Sequence, residues 1–147
     1  MLWAQGSDAK LVIVGKAGWN VDVLLSKIEH HAALGSKLFC LVGVSDEFLE
    51  QIYATCDCLL AASFGEGFGL PILEASDRGM AILARNIPVF REIGEGQATF
   101  FDAASAEQLE VSITNWLAQP RSSMRIIEES RSRLSWSDCA SQLLTLV

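Results

Sequence analysis

The chain has 147 residues, half of them apolar and a fifth charged, with a formal net charge of −7. That size and composition fit one packed domain, or one lobe of something larger, and exclude a disordered chain. The acidic balance excludes a broad nucleic-acid or anionic-membrane surface, and no apolar run reaches the roughly 20 residues that span a bilayer.

The opening stretch, MLWAQGSDAK, lacks the basic start and long apolar core of a signal peptide, so a cytosolic location is expected. Lys10–Gly15, KLVIVG, is a β-branched run ending in glycine and reads as a strand buried on both faces. Asn20–Leu34 reads as a helix with Val21, Leu24, Leu25 and Ile28 on its apolar face. Lys37–Gly43 is a second buried strand. Ser45–Cys56 reads as a helix, with Ser45 as its cap and acids in its first turn. Asp57–Ser63 is a third strand, and a helix over Leu70–Arg78 ends at Gly79. Met80–Arg85 is a fourth strand, Pro88–Gly94 a short helix, and Ala98–Asp102 a fifth strand. Ser105–Gln119 is a helix with Leu109, Ile113, Trp116 and Leu117 on its apolar side. Residues 121–147 read as a C-terminal helical tail of the same single domain.

Strands alternating with helices predict βαβ units: an α/β fold, a Rossmann-like parallel sheet of about five strands with helices on both faces. Ligands of such folds gather at the C-terminal ends of the strands. Three loops fall there: Gly15–Trp19, Gly43–Ser45 and Phe64–Gly69.

The cysteines Cys40, Cys56, Cys58 and Cys139 do not form a zinc-binding pattern, since Cys56-Asp57-Cys58 is not C-x-x-C and lacks a second pair. They read as free thiols packed as small apolar side chains. His30 and His31 are adjacent, so on a helix they point about 100° apart, and a surface position near the helix end is expected rather than a metal. No metal or other cofactor is expected.

The stretch SFGEGFGLPILEASDRG, Ser63–Gly79, carries the functional signal. Gly65, Gly67 and Gly69 alternate before a helix, and glycines let backbone amides approach a ligand closely. Pro71 suits the first helical turn. The open amides and dipole of that turn form an anion site without a lysine. Glu66 sits at the loop tip and Glu74 about one turn into the helix; both suit hydroxyl recognition. A phosphate flanked by two such carboxylates suggests a sugar nucleotide. A plain tight turn with capping glycines explains the glycines equally well, because neither G-x-G-x-x-G nor G-x-x-x-x-G-K-[ST] is present.

EGFGLPILEA, Glu66–Ala75, resembles the E-x7-E signature of retaining glycosyltransferases of family four, the glycosyl transferases group 1 family. Leu11–Trp19, Leu41–Ser63 and Asn86–Ile113 resemble flanking segments of that family's nucleotide-binding lobe in the same order. The resemblance reaches to about Gln119, with a weaker echo at Ser135-Trp136. It implies the C-terminal, donor-binding lobe of a two-lobed GT-B enzyme. By similarity, Glu66 is the catalytic-site carboxylate that contacts the transferred sugar. Gly67, Phe68, Gly69 and Leu70 offer backbone contacts to sugar and diphosphate, and Glu74 holds the ribose. Gly15, Lys16 and Val44 lie near the base or ribose; Lys16 reads equally as a solvated loop lysine. The implied reaction is glycosyl transfer with retention from a GDP- or UDP-linked sugar to an acceptor hydroxyl, in glycan assembly such as polysaccharide biosynthesis. The implied partners exclude nucleic acid, and the implied location is cytoplasmic, with the full-length enzyme peripheral at the inner membrane.

The family's lobe opens with another strand and an Arg…Lys pair, and only ten residues precede Leu11 here. The expectation is therefore a truncated lobe without its first strand and without the acceptor lobe, inactive alone. In the family that strand lies between LVIVG and CLLAAS. Its loss predicts that the two inner strand edges pair with each other or drive self-association. Two other readings stand beside the enzyme lobe. One is a degenerate, non-catalytic lobe used as a scaffold or nucleotide-binding module. The other is a different Rossmann-like cofactor binder.

Overall fold

The computed structural model describes residues 2–120 together with Ser141, Leu144 and Thr145; the rest of the expected C-terminal tail, and Cys139, lie outside the described residues. After a short 3-10 helix at Leu2–Gln5, strands and helices alternate. They are β1 (Leu11–Val14), α1 (Asp22–Glu29), β2 (Leu38–Leu41), α2 (Asp46–Thr55), β3 (Cys58–Ala61), α3 (Leu70–Asp77), β4 (Ala81–Arg85), α4 (Pro88–Gly94), β5 (Ala98–Phe101) and α5 (Ala106–Leu117). All pairings are parallel, as the alternation predicts. Boundaries agree within a few residues except at the first helix. It stops at Glu29, and residues 31–36 turn instead. There the Ala33 carbonyl accepts from the Ser36, Lys37 and Leu38 amides, which spends the chain's hydrogen bonds on a turn into β2.

The five strands form two sheets rather than one. β1 pairs with β2, Leu11 opposite Leu38, and β3–β4–β5 form the second sheet. The expectation that the inner edges pair is thus corrected: β1 and β3 are not hydrogen bonded to each other. Each keeps its partner on its outer side, and the resemblance puts a further strand between the inner edges.

The core belongs to the second sheet. Central β4 is buried at every residue. Ile82 and Ala84 pack on one face against Ile72 and Ala75 of α3 and Phe90 of α4. Ala81 and Leu83 pack on the other against Trp116, Leu109 and Ile113 of α5. Helices therefore cover both faces here, and the period-two alternation divides β4 between two cores. β1 differs from its expected double burial: Leu11 is exposed and the next three residues are only half-buried. Its helix, α1, has no fully buried residue, and Leu24, expected on the inner face, is exposed. Leu117 of α5 is likewise more exposed than its spacing suggests. Among the described residues no helix is long and apolar enough to cross a membrane.

Candidate functional site

Within the first sheet parallel pairing puts the loops after β1 and β2 at one C-terminal end, and within the second the loop after β3 lies at the C-terminal end it shares with β4 and β5. The loop after β3 and the start of α3 bring Glu66, Gly67, Phe68, Gly69, Leu70 and Glu74 into one region. Gly15 and Lys16, both exposed, and half-buried Val44 follow the strands of the other sheet.

The three glycines of the loop differ in physical role. Gly69 precedes α3 with φ 79°, a left-handed conformation. A Cβ there would lie 2.8 Å from Ile93 Cδ1 and 3.1 Å from Phe90 Cε1. The fold itself demands that glycine. At Gly65 and Gly67 a Cβ would meet nothing within 4 Å, and neither has positive φ. Internal packing gives no reason for glycine at either position. Among the described residues no side chain caps α3, and Pro71 stands in its first turn. The Ile72 amide is satisfied by the Gly69 carbonyl at 3.0 Å. Pro71 has no amide hydrogen, and the Leu70 amide stands at the positive end of the helix dipole.

Both glutamates are held by a neighbouring hydroxyl. Ser63 Oγ donates to Glu66 Oε1 at 2.7 Å, which folds the exposed loop tip back on the end of β3. Tyr53 Oη, from α2, donates to Glu74 Oε2 at 2.8 Å. Burial, and then the Glu74 carboxylate, push the Tyr53 hydroxyl above its ordinary range, so it stays a donor. Arg78 stacks on the Tyr53 ring at 4.7 Å and binds Glu50 through two nitrogens. That partner holds the Glu50 carboxyl below its usual range.

Arg85 anchors the start of the loop. It is 9% exposed. Its Nε donates to the Ala62 carbonyl at 3.0 Å and its Nη1 to the Ala103 carbonyl. The guanidinium lies 3.8 Å from the centre of the Phe64 ring and 5.3 Å from that of Phe101. An open cleft of about 420 Å³ lies beside Phe64, Arg85, Asn86 and Asp102, at the ends of β4 and β5. None of the residues expected from the sequence lines it.

Sequence reasoning named none of Tyr53, Glu50, Arg78 and Arg85 as site residues. Their contacts join residues 18 to 28 apart in the chain, which no local spacing encodes. Of the cysteines, Cys40, Cys56 and Cys58 are free and half-buried. Burial pushes the Cys58 thiol up to about 12. His30 and His31 are exposed at the end of α1 as expected, and among the described residues no cluster of metal-ligating side chains occurs.

Fold and site define an α/β lobe with an open glycine-rich loop between a parallel strand and a helix. Residues 1–133 match the family described as glycosyl transferases group 1, and the chain belongs to that family. It is 42% identical over 143 residues to the serotype-specific mannosyltransferase WbdA of Escherichia coli, covering 97% of this chain and 18% of that protein. It is 30% identical over 139 residues to the O-antigen chain mannosyltransferase B of Escherichia coli, covering 91% of this chain and 36% of that one. The chain thus spans well under half the length of either relative. Among solved structures, sucrose-phosphate synthase from Thermosynechococcus elongatus superimposes with a TM-score of 0.75 at 22% identity, over 98% of this chain and 39% of that one. That likeness bears out the parallel α/β lobe expected of a GT-B glycosyltransferase.

Proposed function

We propose that this chain is the donor-binding lobe of a retaining mannosyltransferase that builds a surface polysaccharide. Its donor is a nucleoside-diphosphate mannose, with GDP as the first nucleotide to try. The observation that carries the reading is the loop after β3. Two glycines that packing does not require, Gly65 and Gly67, flank Glu66; Glu66 and Glu74 are each held by a hydroxyl, and the helix that follows the loop has no side-chain cap among the described residues. The two mannosyltransferase relatives favour mannose as the sugar.

In this reading the diphosphate rests on the amides from Gly67 to Leu70, where the helix dipole favours negative charge. Glu66 accepts hydrogen bonds from hydroxyls of the mannose, and Glu74 from the ribose diol. Gly15, Lys16 and Val44 border the base. During transfer the bond from the anomeric carbon to the diphosphate breaks, and the diphosphate keeps the electron pair. The acceptor oxygen bonds to that carbon on the same face, and its proton leaves with the products. Stabilising the departing charge is the main electrostatic task. Arg85 does not perform it, since its guanidinium is buried against Phe64 and engaged by two carbonyls. The remaining positive charge, and the acceptor lobe, belong to other parts of the whole enzyme. That enzyme works in the cytoplasm, peripheral to the inner membrane, and this chain alone binds donor without turnover.

The split sheet favours a second reading, a non-catalytic lobe kept as a scaffold. One experiment separates the two. The chain is titrated with GDP, UDP and ADP while its tryptophan fluorescence is followed; Trp19, in the loop after β1, is 95% exposed. Saturable binding that is lost in Glu74→Ala is expected. Absence of binding by all three nucleotides overturns the donor-lobe reading.

A further inference from the structure

Glu74 is held by more than one contact. Glu50 and Tyr53 are three residues apart on α2, and Glu74 and Arg78 four apart at the end of α3, so each pair shares a helix face. Between the helices the four close a ring. Arg78 Nε donates to Glu50 Oε2 at 2.9 Å, and a second Arg78 nitrogen to Glu50 Oε1. Arg78 Nη1 donates to the Glu74 backbone carbonyl at 2.6 Å. The same guanidinium covers the Tyr53 ring, and Tyr53 Oη returns to the Glu74 carboxylate. Tyr53 also packs against the core formed by Ile72, Ile82 and Phe90, which fixes its ring.

We propose that Tyr53, held in place by Arg78 and Glu50, is a positioning residue that presents the Glu74 carboxylate to a ribose diol. The proposal rests on the reading of Glu74 as the ribose ligand. A free glutamate side chain has three rotatable torsions to order when a ligand arrives. Tyr53 orders them beforehand by engaging Oε2, and Oε1 is left to accept from the sugar. Preorganisation of this kind raises affinity without adding a contact to the ligand. The phenol suits the task because its raised pKa keeps the proton on oxygen throughout the working pH range.

A plain staple between α2 and α3 would use the same contacts, so the test must read the ribose. The tightest binder among GDP, UDP and ADP is titrated into the chain alongside its 2′,3′-dideoxy analogue. The proteins are wild type, Tyr53→Phe, Glu74→Ala and the double variant. Phenylalanine keeps the ring, its packing and the surface on which Arg78 stacks, and equal melting curves check the fold. Tyr53→Phe is expected to weaken the nucleoside diphosphate about three- to tenfold, the value of one hydrogen bond. It should leave the dideoxy analogue unchanged and have no further effect beside Glu74→Ala. Equal weakening of both ligands makes Tyr53 a staple and overturns the proposal. So does wild-type binding that depends on Glu74 and is indifferent to Tyr53→Phe; the proposed function then stands. Binding that survives Glu74→Ala, or no binding at all, removes the ribose reading and the positioning role together.

Discussion

Gly67 and Gly69 stand two residues apart in one loop and answer to different constraints. Gly69→Ala keeps a left-handed backbone that costs an L-residue about 1–2 kcal/mol, and its Cβ also meets Ile93 at 2.8 Å. A loss of stability of at least that size is expected in thermal or urea unfolding. Gly67→Ala meets nothing and has no positive φ to defend. Its stability should stay within about 0.5 kcal/mol of wild type, while nucleoside-diphosphate affinity falls because a methyl group stands where a ligand would approach. Equal stability losses at the two positions would erase the distinction. In the sequence these glycines are indistinguishable members of one alternating run. The left-handed φ of Gly69, and the positions of Phe90 and Ile93 on α4 some twenty residues later, separate the glycine the fold needs from the one it does not. The two glutamates were singled out by spacing and family pattern. The hydroxyls that hold them were not, since Tyr53 reaches Glu74 across two helices.

Elements were legible where local signals agree. Ser45 caps α2 by accepting the Phe48 amide, as the sequence suggests, and Ser105 caps α5 in the same way by accepting the Gln108 amide. The first helix was overextended because its apolar spacing continues past Glu29, whereas the chain turns there to enter β2. What no local pattern shows is how strand ends are joined. Arg85, at the end of β4, bonds the carbonyl beyond β3 and the carbonyl beyond β5, and stacks on Phe64 and Phe101. One side chain thus ties three parallel strands at the edge that carries the candidate site. Arg85→Met preserves the apolar stem and strips both carbonyls of a charged donor. The expected cost is on the order of 2–3 kcal/mol, read as a lower urea midpoint. Arg85→Lys retains the charge but loses the forked geometry, and it should fall between the two. If Arg85→Met melts with wild type, the three-strand tie contributes nothing and the loop is held by packing alone.

At the scale of the molecule, the alternation of strand and helix was enough to read five parallel strands, and the comparison of motif order was enough to place a gap between LVIVG and CLLAAS. The sequence could not say what the two edges beside the gap would do. Among the described residues they stay apart: β1 bonds only β2, and β3 only β4. Each inner edge therefore presents a row of peptide groups without a strand partner among the described residues, and β1 is flanked by a helix with no fully buried residue. Such edges are templates for pairing with another chain. Against this works the net charge of −7, which makes copies of the chain repel one another. The expected result is self-association that grows with protein concentration and strengthens when added salt screens the charge. Sedimentation velocity from low to high micromolar protein, with and without salt, reads both dependences. Ile13→Lys sets a charge in the middle of β1, a device that blunts edge strands, and should return the chain to monomer at every concentration. A wild-type chain that sediments as one monomeric species throughout, in salt or without it, would show that the open edges do not recruit a second copy.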